Sequence, residues 1–250
     1  MTTKRNIYFA SDFHLGSFAN DSIPTERELK VVRWLDSIKS DCAELYLLGD
    51  VFDFWFEYEH VVPKGFIRLL GKLAELSDEG VDLHIFTGNH DVWMFDYFEL
   101  QLNAKVHHHP IEREWGGKQF IIGHGDGLGP GDQGYKFIKG VFSNSVAQRL
   151  FAFLHPYIGV KMARFFSRKS RETNVDRDQS FLGEEEYLIR YCREVLKHKH
   201  VDYFIFGHRH LVIDFELNDR SRYINLGEWF TTCNYAKFDQ HSLVLQSFES

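Results

Sequence analysis

The chain is 250 residues long, the length of a single domain with room for an insertion, and its 44% hydrophobic and 26% charged residues exclude disorder, collagen-like repeats and coiled coil. Net charge is −7, and the three cysteines, Cys42, Cys192 and Cys233, are far apart with no Cys-x-x-Cys pair, as expected of a reducing compartment. The apolar run at 7–10 is too short for a signal peptide, and no stretch approaches the ~18 apolar residues of a membrane span, so a cytoplasmic protein is expected.

Short apolar runs alternate with amphipathic stretches, which points to an α/β architecture. Residues 6–10 are the first expected strand. Residues 25–39 read as a helix, opened by a Thr25/Glu28 capping box and placing Leu29, Val32, Leu35 and Ile38 on one face. A strand at 44–48 follows. A second helix over 66–76 aligns Ile67, Leu70 and Leu73, and strands are expected at 83–86 and 119–122. From about 133 to 200 the alternation gives way to helical segments broken at Pro156, the pattern of a cap inserted into a single domain spanning 1–250. Strands resume at 203–206, and 212–217, 223–226 and 242–248 complete the pattern.

Charge is unevenly placed. Residues 133–171 contain no acidic residue but carry Lys136, Lys139, Arg149, Lys161, Arg164, Arg168, Lys169 and Arg171, interleaved with aromatics such as Phe142, Phe151 and Phe165. Two readings are open: a surface for an anionic or amphiphilic partner, or a helical hairpin whose aromatics pack on the core while its cations are solvated.

Each of the first five strands runs into polar residues able to bind metal. Their ends carry Asp12-Phe-His14, Gly49-Asp50-Val-Phe-Asp53, Gly88-Asn89-His90-Asp91, Gly123-His124-Gly-Asp126 and Gly207-His208-Arg-His210. In open α/β sheets, binding groups gather beyond the carboxyl ends of the strands. Convergence would therefore unite Asp12, His14, Asp50, Asn89, His124, His208 and His210. The preceding glycines permit a sharp turn and close backbone approach. Two carboxylates, four imidazoles and one amide exceed the shell of one first-row ion and suit two ions sharing a carboxylate, for which Asp50 is central. One ion would take Asp12, His14, Asp50 and His210, the other Asp50, Asn89, His124 and His208. Mixed oxygen and imidazole donors without thiolate point to two ions of Mn²⁺, Fe or Zn²⁺ rather than Ca²⁺ or a structural Cys zinc site.

Three further features have plainer readings. His107-His108-His109 before Pro110 reads as an exposed turn leading into a strand. The aromatic run from Phe52 to Tyr58 either lines a substrate entrance or packs in the core. Trp229, Phe230 and Tyr235 read as sheet packing.

Taken in order, Asp-x-His, Gly-Asp-x-x-Asp, Gly-Asn-His-Asp, Gly-His and Gly-His-x-His resemble the calcineurin-type metallophosphoesterases, over residues 6 to about 230 apart from the insertion. The resemblance implies a sandwich of two mixed β-sheets flanked by helices, with a dinuclear site that hydrolyses phosphate esters or anhydrides. It places His90 against the transferred phosphoryl group, to protonate a leaving oxygen or balance charge, beside the bridging Asp50. Asp53, Asp91 and Asp126 either support ligand imidazoles and His90 or cap turns.

Within that family the chain resembles the UDP-2,3-diacylglucosamine pyrophosphohydrolases of lipid A biosynthesis. There an Asp eight residues after the metal His and a Ser-x-x-x-Asn-x-x-Lys pattern contact substrate, which become Asp132, Ser170, Asn174 and Arg177 here, with Arg in place of Lys. Asn89, His90 and His208 would also face the substrate. His90 stands where the best-known branch has Arg. The resemblance implies release of UMP and 2,3-diacylglucosamine 1-phosphate from a lipid-nucleotide substrate, and a peripheral location on the cytoplasmic face of the inner membrane. The alternative substrate is a soluble nucleotide or another phosphodiester. A nucleic-acid partner is not expected, because the basic segment is too rich in aliphatic and aromatic residues.

Overall fold

The computed structural model describes residues 5–16, 26–131, 133–163, 165 and 180–249. Strands β1 (Asn6–Ala10), β2 (Cys42–Leu47), β3 (Asp82–Phe86) and β4 (Lys105–His107) run parallel. With β10 (Asn234–Phe238) and β11 (Leu243–Ser247) they make a six-stranded sheet, ordered β11-β10-β1-β2-β3-β4. The second sheet, β5-β6-β7-β9-β8, joins β5 (Ile111–Trp115), β6 (Lys118–Ile122), β7 (Tyr203–Phe206), β8 (Val212–Asn218) and β9 (Ser221–Leu226). Its central strands β6, β7 and β9 are parallel, and β5 and β8 pair antiparallel at its edges. Both sheets are therefore mixed.

The two sheets bury one layer of apolar side chains between them. Ile7, Phe9, Tyr46, Leu48 and Phe86 from the first meet Phe120, Ile122, Ile205, Ile224 and Leu226 from the second. The alternate residues of β1, Tyr8 and Ala10, face the opposite way, into a core shared with α1 (Glu26–Ile38), α2 (Ile67–Asp78) and α3 (Tyr97–Leu102). Period-two alternation thus buries β1 on both faces. On the outer face of the second sheet, α7 (Tyr187–Leu196) lays Leu188, Ile189 and Cys192 against Phe204, Phe206, Ile213 and Tyr223. Helices cover both outer faces.

The helices rotate relative to the expected apolar stripes. In α1 the buried positions are Glu28, Val31, Trp34, Leu35 and Ile38, whereas Leu29 and Val32 are half-buried. The cause is Trp34, whose indole packs against Phe13, Trp229 and Tyr235 and sets which face turns inward. Glu28 is buried because its Oε1 accepts the backbone N–H groups of Arg68 and Leu69, satisfying donors at the start of α2. Thr25, its expected capping partner, lies outside the described residues. In α2 the buried side chains are Leu69, Leu73 and Leu76, and Ile67 is 76% exposed.

Between 133 and 163 the chain forms α4 (Gln133–Phe142), α5 (Ser145–Ala152) and α6 (156–163). They leave Phe137, Val146, Leu150, Phe153, Tyr157 and Ile158 largely exposed. They join the sandwich through an aromatic nest, in which Phe151, Val160 and Ala163 pack on Phe54, Phe56 and Trp93. The Trp93 indole also donates to the Phe142 carbonyl at 2.9 Å. The stretch expected as a cap, about 133–200, therefore ends in a helix, α7, that belongs to the second sheet. No helix among the described residues is long and apolar enough to cross a membrane.

Candidate metal centre

The parallel strands β1, β2 and β3 and the parallel strands β6 and β7 release their motif loops at one end of the sandwich. Reaching a common point requires unusual backbone there. Asp12, His14, Asp50 and His208 all have left-handed φ, at 55°, 44°, 50° and 66°. For a non-glycine residue that conformation costs roughly 1 kcal/mol or more, and it persists where surrounding contacts over-determine it. Those contacts are present. Asp12 Oδ2 accepts from Ser11 Oγ at 2.5 Å and from the His208 backbone N–H at 3.0 Å. Asp50 Oδ1 accepts the His90 backbone N–H at 2.9 Å. Asp91 accepts from the backbone N–H groups of Gly88 (2.7 Å), Asp50 (3.2 Å) and Phe52 (3.2 Å), locking the second and third loops together. Arg27 Nη1 donates to the carbonyls of Phe13 and His14, and its guanidinium lies 3.9 Å from the Phe230 ring centre.

Two of the glycines leave space that only hydrogen can occupy. A Cβ on Gly88 would stand 2.1 Å from Asp50 Oδ1, and one on Gly207 2.5 Å from Asp12 Oδ2.

Three overlapping groups of potential ligands form, each with its donor atoms within 4.8 Å of one another: Asp12, His14 and His210; His14, Asp50 and His90; and Asp50, His124 and His208. His14 Nε2 is 3.7 Å from Asp12 Oδ1, 3.6 Å from Asp50 Oδ2 and 3.0 Å from His210 Nε2. On the far side of Asp50, His124 Nε2 is 3.5 Å from Asp50 Oδ2 and 3.2 Å from Asn89 Oδ1, and His208 Nδ1 is 2.7 Å from the same amide oxygen. His124 is turned inward because its Nδ1 bonds the Leu48 carbonyl at 2.7 Å. Asp50 is the carboxylate common to both halves.

The electrostatics ask for positive charge. Burial opposes ionisation of Asp12 and Asp50, yet the imidazoles around them (His14 and His210 for Asp12, His124 and His90 for Asp50) hold both below the usual carboxylate range. His124 shows the converse: burial would lower it, but Asp50, Asp12 and Asp126 raise it to about 10. His14 and His208 are pushed down to about 4, chiefly by burial, and so are neutral at neutral pH, the form able to bind a metal. Asp91 rises to about 7 through burial and the nearby Asp50 charge. Two fully buried carboxylates beside inward-facing imidazoles, with buried Asp12 Oδ1 making no hydrogen bond, fit divalent cations.

All seven expected ligand residues come together, with His90 alongside; its ring centre is 4.8 Å from that of His14. Asp53 Oδ1 lies 3.8 Å from His14 Nδ1 and 3.7 Å from His90 Nδ1, within reach of both. Asp126 pairs with Lys139 of α4 at 2.7 Å and its charge also acts on His124, and Asp91 accepts from backbone amides. Asp132, Ser170, Asn174 and Arg177 lie outside the described residues. Two contributors went unread in the sequence. Phe230, read as sheet packing, stacks on His14 (5.5 Å, 20°), and Arg27 braces the first motif. Neither has a local signal: one follows an ordinary strand, the other sits among the charged residues of an amphipathic helix. Two cavities of ≈ 200 Å³ open beside the cluster, one against Tyr187, Arg190 and His208, the other against Thr87, His108 and Lys139.

No protein-family model matches the chain. It is 42% identical over 265 residues to a UDP-2,3-diacylglucosamine hydrolase of Porphyromonas gingivalis, with 98% of each chain covered. A UDP-2,3-diacylglucosamine hydrolase of Tolumonas auensis is 26% identical over 243 residues, covering 96% of this chain and 95% of that one. Among solved structures, Yfce, a phosphoesterase from E. coli, covers 95% of this chain and 90% of its own at 14% identity, with a TM-score of 0.45. Identity at this level over nearly the whole of both proteins is decisive, and the chain belongs to the UDP-2,3-diacylglucosamine hydrolase family.

Proposed function

We propose that this chain hydrolyses the pyrophosphate bond of UDP-2,3-diacylglucosamine, releasing UMP and 2,3-diacylglucosamine 1-phosphate in lipid A biosynthesis. The observation that carries the reading is the single cluster built from five strand ends around Asp50. Asp12, His14, Asp50 and His210 would hold one ion, and Asp50, Asn89, His124 and His208 the other. Mn²⁺ suits this oxygen and imidazole donor set, as do Fe and Zn²⁺. Such a pair of ions, when bound, supplies a nucleophile at neutral pH and neutralises charge on the phosphoryl oxygens.

The chain's own groups do the remainder. Asp50 Oδ1 fixes the His90 backbone, and Asp53 faces His90 Nδ1, so Nε2 is the atom that would reach a phosphoryl or leaving oxygen. A sugar phosphate leaves readily, so the task of His90 is to neutralise charge there or deliver a proton. Asn89, His90 and His208 would contact substrate on the described side of the site, and Asp132, Ser170, Asn174 and Arg177 beyond it. The exposed apolar residues of α4 to α6, interleaved with Lys136, Lys139, Arg149 and Lys161, suit a diacylated substrate. They also suit transient contact with an anionic membrane surface, at roughly 1 kcal/mol per basic residue close to it. The protein would then be cytoplasmic and peripheral on the inner membrane.

Metal-stripped protein reconstituted with Mn²⁺ tests this directly. UMP release from UDP-2,3-diacylglucosamine is expected, with none from the metal-free protein. Activity confined to cyclic nucleotides or dinucleoside polyphosphates would overturn the substrate and leave the metal centre in place.

A further inference from the structure

His208 and His210 stand on either side of Arg209, and their side chains face the metal cluster while that of Arg209 is buried elsewhere, 2% exposed. Its Nη2 donates to Glu186 Oε1 at 2.9 Å and to the Ser180 carbonyl at 2.9 Å. Glu186 is 1% exposed, directly precedes α7, and also accepts the Leu182 backbone N–H at 3.2 Å. The backbone of the same loop is held from below. Asn225 on β9, fully buried, donates through Nδ2 to the carbonyls of Arg209 and Leu211. Tyr223 Oη in turn donates to Asn225 Oδ1 at 3.4 Å.

We propose that Arg209 is a positioning residue: its buried ion pair with Glu186 sets the loop that presents His208 and His210 and ties it to the Ser180–Glu186 stretch leading into α7. The inference rests on the metal-centre reading above and goes beyond it. Nothing in the reaction requires a cation at this place, and the Arg209 guanidinium is engaged by Glu186 and the Ser180 carbonyl. A buried charge pair is a poor device for stability alone, because apolar replacement of both partners is often neutral or better. What it offers here is direction: a planar guanidinium, held by Glu186 on one side and the Ser180 carbonyl on the other, leaves its own backbone little rotational freedom. With His208 at φ 66°, a small rotation of this loop would swing both imidazoles out of register.

The test compares Mn²⁺ binding, read from the EPR signal of free Mn²⁺, and the thermal melting of the metal-free protein. It uses wild type, Arg209→Met, the double variant Arg209→Met/Glu186→Met, and His208→Ala. Arg209→Met alone leaves Glu186 buried and unpaired, so it should melt lower; the double variant should recover most of that loss. The inference predicts that the double variant, though stable, still binds Mn²⁺ about 10- to 100-fold more weakly. It also predicts a lowered kcat with KM for the substrate little changed. Recovery of wild-type Mn²⁺ affinity together with stability would show the pair to be merely structural and overturn the inference alone. Undiminished affinity in His208→Ala would overturn the metal assignment, and the inference with it.

Discussion

Asp50 is the one residue shared by both halves of the cluster, so its replacement is the most informative single change. Asp50→Asn should remove Mn²⁺ from both halves and lower turnover by at least ~10²-fold, which metal analysis and UMP release would check together. Gly88→Ala probes the same carboxylate without touching it. The added Cβ falls 2.1 Å from Asp50 Oδ1, so Asp50 must move. A similar loss of Mn²⁺ is expected in a protein that still melts cooperatively; unchanged metal content would contradict the close packing described. A different pair of imidazoles governs acid stability. His84 Nδ1 and His107 Nε2 lie 2.8 Å apart, and His84 stacks on Tyr46. Burial pushes both histidines down to about 4, with Lys105 and Arg113 adding to the effect and Asp82 opposing it. As pH falls below ~6.5 the unfolded chain takes up protons first, so stability present above that value is lost as pH falls toward 4. Unfolding free energies from urea titrations at pH 7 and pH 4.5 should differ by about 1–2 kcal/mol more in wild type than in His84→Gln.

At the scale of elements, much of the fold was readable, for a physical reason. The central strands are buried on both faces, so β1 and β7 stand out as short apolar runs ended by Asp-x-His or Gly-His, and both are found where expected. The motif loops were readable because the chemistry confines them to a few residue types. The edge strands β8 and β11 were read, whereas the short β4, the charged β5 and the interior β10 were not given bounds. β4 has three residues, and β5 carries Glu112, Arg113 and Glu114 in succession, as an edge strand tolerates. Its pairing with β6 across Gly116-Gly117, both at positive φ, was the overlooked hairpin signal. The triple histidine divides accordingly: His108 and His109 are exposed, but His107 ends β4 and stacks on His84. Helix faces were misplaced because Trp34 and Glu28, neither aliphatic, decide them. The aromatic run after Asp50 proves to be packing with a purpose. Phe52 and Trp55 fill the core, while Phe54 and Phe56 hold Phe151. Phe151→Ala should therefore loosen α5 from the nest, raising KM for a diacylated substrate roughly 10-fold, about 1.4 kcal/mol. Turnover of a small phosphodiester should change less than about twofold, since no metal ligand is touched; a loss shared by both substrates would contradict that division.

On the scale of the whole molecule, an acidic protein carries one acid-free stretch, and that stretch presents apolar side chains to solvent. α5 buries none of its residues, yet α4 is fastened to the loop of His124 by the Lys139–Asp126 pair and by Lys136 on the Gly129 carbonyl. An exposed apolar surface pinned beside a phosphoryl-transfer centre has a use if the substrate brings acyl chains. Remote binding energy can then be spent at the reacting bond. The most direct measurement compares UMP release from UDP-2,3-diacylglucosamine and from UDP-glucosamine by the Mn²⁺-reconstituted protein. A kcat/KM at least ~10²-fold higher for the acylated substrate is the predicted result. Equal rates on the two would contradict a role for the apolar helices in recognition and mark the protein as a general nucleotide pyrophosphatase.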